Sequence, residues 1–350
     1  MFLSDNTAPA CPEIFTFLQQ QIQGTLDLPY GDDVYTKMLN ETLSAIFNTE
    51  VWVFPVLTGT AANCLGLGQL CGSHQSIICH ESSHLAVSEG TAPQLFTGGA
   101  RLHYSGGEID RISPLMLAQQ LEAIQWNDIH GVPPATLAIT QATELGRTYS
   151  LEDMQLFGDL CKEYGLNYFV DGARFANALA AHNCHPAELS WRKGVTAMTL
   201  GASKNGAFNV EALVIFDPQY AKGLMAKAKR SGHLASKMRF LSAQLISYFS
   251  DDLWLKNARH ANDMAFLCDQ LLKQRDMNAK FSAQTNQLFL PLSELQFQRA
   301  QDVGFEMYHW PLEDQGIVRD YYRFVTNWST PPEQITAFVE SLNIPVNEQA

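Results

Sequence analysis

Apolar and polar positions alternate in blocks along most of the 350-residue chain, and their period switches between that of a helix and that of a strand. Residues 12–23 and 33–47 carry apolar side chains at helical spacing, among them Tyr35, Met38, Leu39, Leu43 and Ile46. Asp32 or Asp33 is placed to cap the second of these helices. Short apolar runs at 51–56, 77–79, 136–140, 167–170, 195–200 and 212–216 read as buried strands, with 102–104 as a further one. Helices are expected between them at 61–70, 114–125 and 151–164, followed by an alanine-rich helix from Arg174 to Ala181. Alternation of this kind marks an α/β fold, a mostly parallel sheet flanked by helices.

The pattern changes from about Pro218. Long helices are expected over 220–229 and 237–273, then strands at 287–290, 306–310 and 319–326, with helices at 295–303 and 332–342. This predicts a second, smaller α+β unit joined to the first by a helix that blurs the boundary. The length agrees, because 350 residues exceed the size at which one core usually keeps growing.

A formal charge of −13 argues against nucleic acid or anionic membrane as a partner, since the long-range field repels phosphate. The one basic cluster, Lys222 to Arg239, reads as the solvated face of a helix. The seven cysteines (11, 64, 71, 79, 161, 184 and 268) are odd in number, form no C-x-x-C pair and mostly sit in apolar runs. Reduced, buried thiols are therefore expected. The N-terminus has no basic segment followed by an apolar one, and no apolar stretch is long enough to cross a bilayer, so a cytoplasmic protein is expected.

Two charged residues end strand-like runs. Asp171 follows Leu166-Asn167-Tyr168-Phe169-Val170, and Lys204 follows the run 195–200 within Gly201-Ala202-Ser203-Lys204-Asn205-Gly206. Ligands of parallel α/β sheets bind at the carboxyl ends of the strands, so both side chains are expected in one site. An amine and an acid so placed suit pyridoxal phosphate: the lysine joins the cofactor aldehyde, and the carboxylate keeps the pyridine nitrogen protonated. Thr58-Gly59-Thr60 lies where a strand passes into a helix. Its hydroxyls, glycine and free amides make an anion site when read together with Asp171 and Lys204.

Two other motifs carry less. His80-Glu81-Ser82-Ser83-His84 matches the zinc-protease pattern, which needs both histidines on one helix face, yet it follows a strand-like run directly. No metal is expected. Ser203-Lys204 invites a serine–lysine hydrolase, but adjacent residues rarely face each other and the chain has no G-x-S-x-G elbow.

Asp171-Gly172-Ala173-Arg174 resembles the D-G-A-R signature of low-specificity L-threonine aldolases and related β-eliminating lyases. The resemblance extends along nearly the whole chain. Leu3-Ser4-Asp5-Asn6 is similar to that family's R-S-D-T, Gly31-Asp32-Asp33-Val34-Tyr35 to its G-D-D-V-Y, and Thr58-Gly59-Thr60 to its S-G-T phosphate loop. His84 with Glu89 resembles H-I-x-x-x-E, Met238-Arg239 resembles M-R-Q, and Arg323-Phe324-Val325-Thr326 the late R-x-V-T. Residues 140–146 and 203–207 are similar to the T-Q-A-T-E-L-G and T-K-N-G-A of bacterial threonine and phenylserine aldolases.

The resemblance implies an aspartate-aminotransferase-like fold, type I among pyridoxal-phosphate enzymes. Residues 1–250 would form the large domain with a seven-stranded sheet, and 251–350 the small one. It also implies roles. Lys204 would carry the cofactor, with Ser203 beside it, and Asp171 would pair with the pyridine nitrogen. His84 would stack on the ring, and Thr58, Gly59 and Thr60 would hold the phosphate. Arg174 would contact the cofactor or the substrate, Ser4 and Arg323 would bind the amino-acid carboxylate, and Arg239 would reach a neighbouring subunit's site. A homodimer or homotetramer with sites near the subunit interface is implied.

Other threonine aldolases carry E-N-T-H where this chain reads Gln141-Ala142-Thr143-Glu144, so a histidine is missing. His84, Glu144 or a water is left to take the substrate's hydroxyl proton. The expected reaction is retro-aldol cleavage of threonine, allo-threonine or phenylserine to glycine and an aldehyde. The alternative is a β-eliminating lyase or an amino-acid racemase on the same fold.

Overall fold

A computed structural model describes residues 1–21, 24, 26–126, 128–314 and 316–342. The first half runs α1 (Pro12–Gln21), α2 (Val34–Phe47), β1 (Trp52–Val56), α3 (Gly59–Leu70), β2 (Ser76–Cys79), α4 (His84–Val87), α5 (Ala92–Thr97) and β3 (Arg101–Tyr104). It continues α6 (Pro114–Glu122), β4 (Pro134–Thr140), α7 (Leu151–Tyr164), β5 (Asn167–Gly172), α8 (Phe175–His182), β6 (Ala197–Leu200) and β7 (Glu211–Ile215). The expected helix over 12–23 is seen to Gln21; residues 22 and 23 lie outside the described ones.

The seven strands form one sheet in the order β1-β7-β6-β5-β4-β2-β3. All pairings are parallel except those of β7, which runs against β1 and β6. The sequence explains the reversal, because the link from Leu200 to Glu211 is too short for the helical crossover that a parallel neighbour needs. Both faces of the sheet are covered, and β4, β6 and β7 are buried at every position, which is why these strands read as unbroken apolar runs. Helix α3 is buried on nearly all sides and shows no amphipathic face.

The second half contains α9 (Leu224–Arg230), α10 (Arg239–Phe249), α11 (Leu253–Lys273), β8 (Gln287–Leu290), α12 (Glu294–Asp302), β9 (Tyr308–His309), β10 (Leu312–Asp314), β11 (Ile317–Arg319), β12 (Tyr322–Val325) and α13 (Pro332–Ser341). The single helix expected over 237–273 is two helices. Asp251 and Asp252 take the left-handed conformation, at φ of 51° and 55°, and turn the chain between α10 and α11. Strands β8, β12 and β9 make a separate antiparallel sheet. Its core includes Phe324 and Phe338 and is completed by Phe2 from the start of the chain, whose ring lies 4.1 Å from that of Phe324. The N-terminal segment thus crosses from this small core to the large sheet.

Candidate active site

Parallel strands bring their carboxyl ends to one edge, and an antiparallel strand brings its first residue there. Thr58 after β1, Glu144 after β4, Asp171 on β5, Lys204 after β6 and Glu211 opening β7 therefore converge. They line a cavity of about 250 Å³, joined by Gly59, Thr60, His84, Arg174 and Ser203. Arg323 is outside this lining but within electrostatic reach of Arg174, Asp5 and Glu144.

Asp171 is held on both oxygens. Oδ1 accepts the Ala173 amide at 3.1 Å, and Oδ2 accepts the Asn63 side-chain amide at 2.9 Å. Asn63 uses every polar atom it has. Its second N–H bonds Glu89 Oε1 at 2.8 Å and its oxygen accepts the Thr199 hydroxyl at 2.6 Å, so its orientation is fixed. Burial, reinforced by the Glu89 charge, pushes the Asp171 carboxyl above its ordinary range, while His84 and Lys204 pull it back. A cationic partner in the cavity is what such a carboxylate lacks.

His84 opens the short helix α4 and donates its Nδ1–H to Glu89 Oε1 at 2.9 Å. This bond raises its pKa against the effect of burial, with help from the Glu144, Asp171 and Glu89 charges. Nε2 has no hydrogen-bond partner among the described residues. His84, Glu89 and Asp171 bring ligand atoms within 4.8 Å of one another, but Asn63 donates to both carboxylates and closes the cluster with its own bonds.

The zinc-like motif is split by the fold. His80 follows β2 and spends Nδ1 on Ser82 Oγ and Nε2 on the Glu108 carbonyl, at 2.7 and 2.9 Å, whereas His84 turns to Glu89. The two histidines share no helix face. Ser203 is likewise engaged, with its hydroxyl bonded to both backbone groups of Val210 at 3.0 Å.

Lys204 sits on a tight turn whose neighbour Asn205 bonds Tyr248 Oη at 2.7 Å and the Trp254 carbonyl at 2.8 Å. The turn also lies against the Asp171–Arg174 loop. A Cβ at Gly201 would stand 2.1 Å from the Ala173 carbonyl oxygen, so only glycine allows this approach. Among the described residues the Lys204 amine makes no hydrogen bond.

At the other end, α3 begins under the cavity. Thr58 caps it, its oxygen accepting the Ala61 amide at 3.1 Å, which leaves the Thr58 O–H as a donor. The first-turn amides of Gly59 and Thr60 have no partner within the helix. A Cβ at Gly59 would meet no atom within 4 Å, so its open side faces free space.

Arg174 is buried and forked onto Asp5, with Nε to Oδ2 at 2.7 Å and Nη2 to Oδ1 at 3.0 Å. Burial opposes charge on Asp5, but Arg174 and Lys204 outweigh it and hold its carboxyl below the ordinary range. Ser4 accepts the Asn6 amide at 3.2 Å, and Asn6, not Ser4, lines the cavity. Arg323 on β12 donates Nη2 to the Leu3 carbonyl at 2.9 Å, lies over the rings of Trp310 and Tyr308, and has a buried Nε with no partner among the described residues. Glu144 belongs to a loop braced by Arg147, which pairs with Glu108 and Asp110, and by the Thr285 hydroxyl on the Gly146 carbonyl. Arg239 opens α10 beside Phe240 and is absent from the lining of its own chain's cavity.

Sequence reasoning passed over Asn63, Thr199, Asp5 and Glu211. Asn63 carried a signal: it lies four residues after Gly59 and so on the same face of a helix that starts at the site.

A seven-stranded sheet with an acid, an amine and a helix N-terminus at one edge defines a type I fold of pyridoxal-phosphate enzymes. The chain belongs to the beta-eliminating lyase family, whose pattern it matches over residues 1–294, and that family depends on pyridoxal phosphate. It is 35% identical to the low specificity L-threonine aldolase of Pseudomonas aeruginosa over 344 residues, 98% of this chain and 97% of that one. The enzyme of the same name from Escherichia coli K12 is 25% identical over 283 residues, 78% and 80% of the two chains. Among solved structures, Leishmania major threonine aldolase superposes with a TM-score of 0.89 at 23% identity, covering 97% of this chain and 98% of that one. Sphingomonas wittichii serine palmitoyltransferase gives 0.68 at 16%, covering 95% and 82%.

Proposed function

We propose that this chain cleaves β-hydroxy-α-amino acids, L-threonine among them, to glycine and an aldehyde, using pyridoxal phosphate. The observation that carries the cofactor reading is the donor set of the cavity. An acid short of a cation, an amine short of a partner and a helix start with open amides fit the three ends of that molecule. The full-length similarity to two Pseudomonas low specificity L-threonine aldolases supports the substrate class.

When bound, pyridoxal phosphate supplies an electron sink for the pair left on the substrate's Cα. Lys204 would hold it by its aldehyde, Asp171 would keep its ring nitrogen protonated, and Thr58, Gly59 and Thr60 would bind its phosphate. His84 would cover the ring. Arg174 would fix the cofactor or the substrate with the geometry that Asp5 imposes. Arg323, with Ser4, would grip the substrate carboxylate and so orient the Cα–Cβ bond for cleavage. His84 Nε2 would take the hydroxyl proton, because Glu89 orients the ring from the opposite nitrogen, and Glu144 lends its charge.

The large unit is proposed as residues 1–250 and the small one as 251–350. At least a dimer is proposed, since Phe15 on α1, Val34 and Met38 on α2, and Phe240 on the adjoining α10 leave apolar surface uncovered. Full activity of a sedimenting monomer would refute this.

The function is tested by incubating the holoenzyme with L-threonine and with phenylserine and assaying acetaldehyde, benzaldehyde and glycine. 2-Oxobutanoate or D-threonine without aldehyde would place the chain among eliminating lyases or racemases instead. Lys204→Ala is expected to abolish both turnover and the borohydride-fixed cofactor, and mapping the reduced lysine to another position would remove Lys204 from its role.

A further inference from the structure

Among the described residues Glu211 is the one charged side chain of the cavity lining that no role above uses. Because β7 runs against β6, its first residue stands at the edge where the parallel strands end. The side chain is 7% exposed, surrounded by a strand that is otherwise Ala-Leu-Val-Ile. Its Oε2 accepts the Ala202 amide at 2.6 Å, two residues before Lys204. Burial lifts its pKa to about 7, with the Ala202 amide and the Lys204 charge pulling it down.

The acids that act on the Lys204 amine come from three elements: Asp5 from the N-terminal segment, Asp171 from β5 and Glu211 from β7. Tyr248 from α10 also faces Glu211, and burial keeps its phenol neutral. Asp5 is consumed by Arg174, and Asp171 is held by Asn63 and the Ala173 amide. Glu211 alone is attached to the turn that carries the lysine.

We propose that Glu211 is a positioning residue for Lys204: its carboxylate fixes the turn that presents the amine, and its charge sets the proton affinity of that nitrogen once it is joined to the cofactor. The inference rests on the pyridoxal-phosphate reading above. Where Glu211 is ionised, its negative charge favours the protonated, cationic nitrogen, so removing that charge lowers the pKa of the nitrogen. The two parts of the role separate by substitution. Glu211→Gln keeps an acceptor for the Ala202 amide and removes the charge, whereas Glu211→Ala removes both.

The test is a pH titration of the visible absorbance of the holoenzyme, together with thermal melting of the cofactor-free protein. In Glu211→Gln the midpoint is expected to fall by about half a unit or more, with melting unchanged. In Glu211→Ala the same fall is expected with a lower melting temperature and faster loss of cofactor on dialysis. Glu211→Asp keeps the charge and serves if the glutamine variant does not fold; a midpoint within about 0.2 units of wild type supports the charge assignment and a fall like that of the alanine variant overturns it. A Glu211→Gln midpoint equal to that of a normally titrating wild type overturns the inference alone. A wild-type chain that takes up no pyridoxal phosphate overturns the cofactor reading and the inference with it.

Discussion

Asp171 and Arg323 both carry charge toward the site, but the structure holds them in different ways. Asp171 ends a central strand, is fully enclosed, and has each oxygen occupied by a donor that is itself fixed. Arg323 lies on β12 in the three-stranded sheet and is tied at one nitrogen to the Leu3 carbonyl, with Nε unpaired among the described residues. A saturated group is already oriented for whatever binds it, whereas an arginine with a spare donor is completed by its ligand. The first arrangement suits a resident cofactor and the second a substrate that comes and goes.

Asp171→Ala should show the largest effect of this difference. Removing the charge proposed to face the ring nitrogen is expected to lower kcat by about 10²–10³-fold, the cost of deleting one preorganised electrostatic group. The same variant should lose cofactor on dialysis while Arg323 and its neighbours keep the small unit folded. A variant with unchanged kcat would end the assignment of Asp171.

Arg323→Lys should act on the other side of the comparison. Lysine keeps the charge but gives up the planar fork, at a cost of about 1.5–3 kcal/mol for a charged hydrogen bond. That corresponds to a rise in KM of about 10–150-fold for the amino acid, with kcat less affected. If KM stays fixed and kcat falls as in Asp171→Ala, the division between cofactor side and substrate side is wrong.

The same division decided what the sequence disclosed. Asp171, Lys204 and Thr58 each follow an apolar run, so their place at one edge followed from the period of the pattern and the geometry of parallel strands. Glu211 was invisible for the complementary reason. It begins a strand instead of ending one, and the reversal of β7 is what brings it to that edge. Asp5 and Arg323 depend on contacts across 169 and 320 positions, from Arg174 to Asp5 and from Arg323 to Leu3. No local pattern encodes such pairs; only the resemblance to a family pointed to Ser4 and Arg323. The break between α10 and α11 was hidden because Asp251 and Asp252 interrupt a helical period without glycine or proline. Non-glycine residues at positive φ leave little trace in composition.

His84 and Glu89 offer the finest test, because their bond ties the saturated wall to the group proposed to take the hydroxyl proton. Glu89 is the largest cause raising the His84 pKa above its ordinary 6.5. If neutral His84 accepts the hydroxyl proton, activity requires the deprotonated ring, so kcat/KM should rise with pH through a midpoint above 6.5. Glu89→Gln keeps an acceptor or donor for Nδ1 and removes the charge, and the midpoint should then move down. The sign is opposite for stability. A histidine whose folded pKa is raised contributes stability below its unfolded value, and that contribution is lost as pH rises through the folded value. Wild type should therefore gain activity and lose this increment of stability over the same pH window, and Glu89→Gln should shift both curves toward acid together. A midpoint that follows Glu144→Gln and ignores Glu89→Gln would transfer the proton to Glu144.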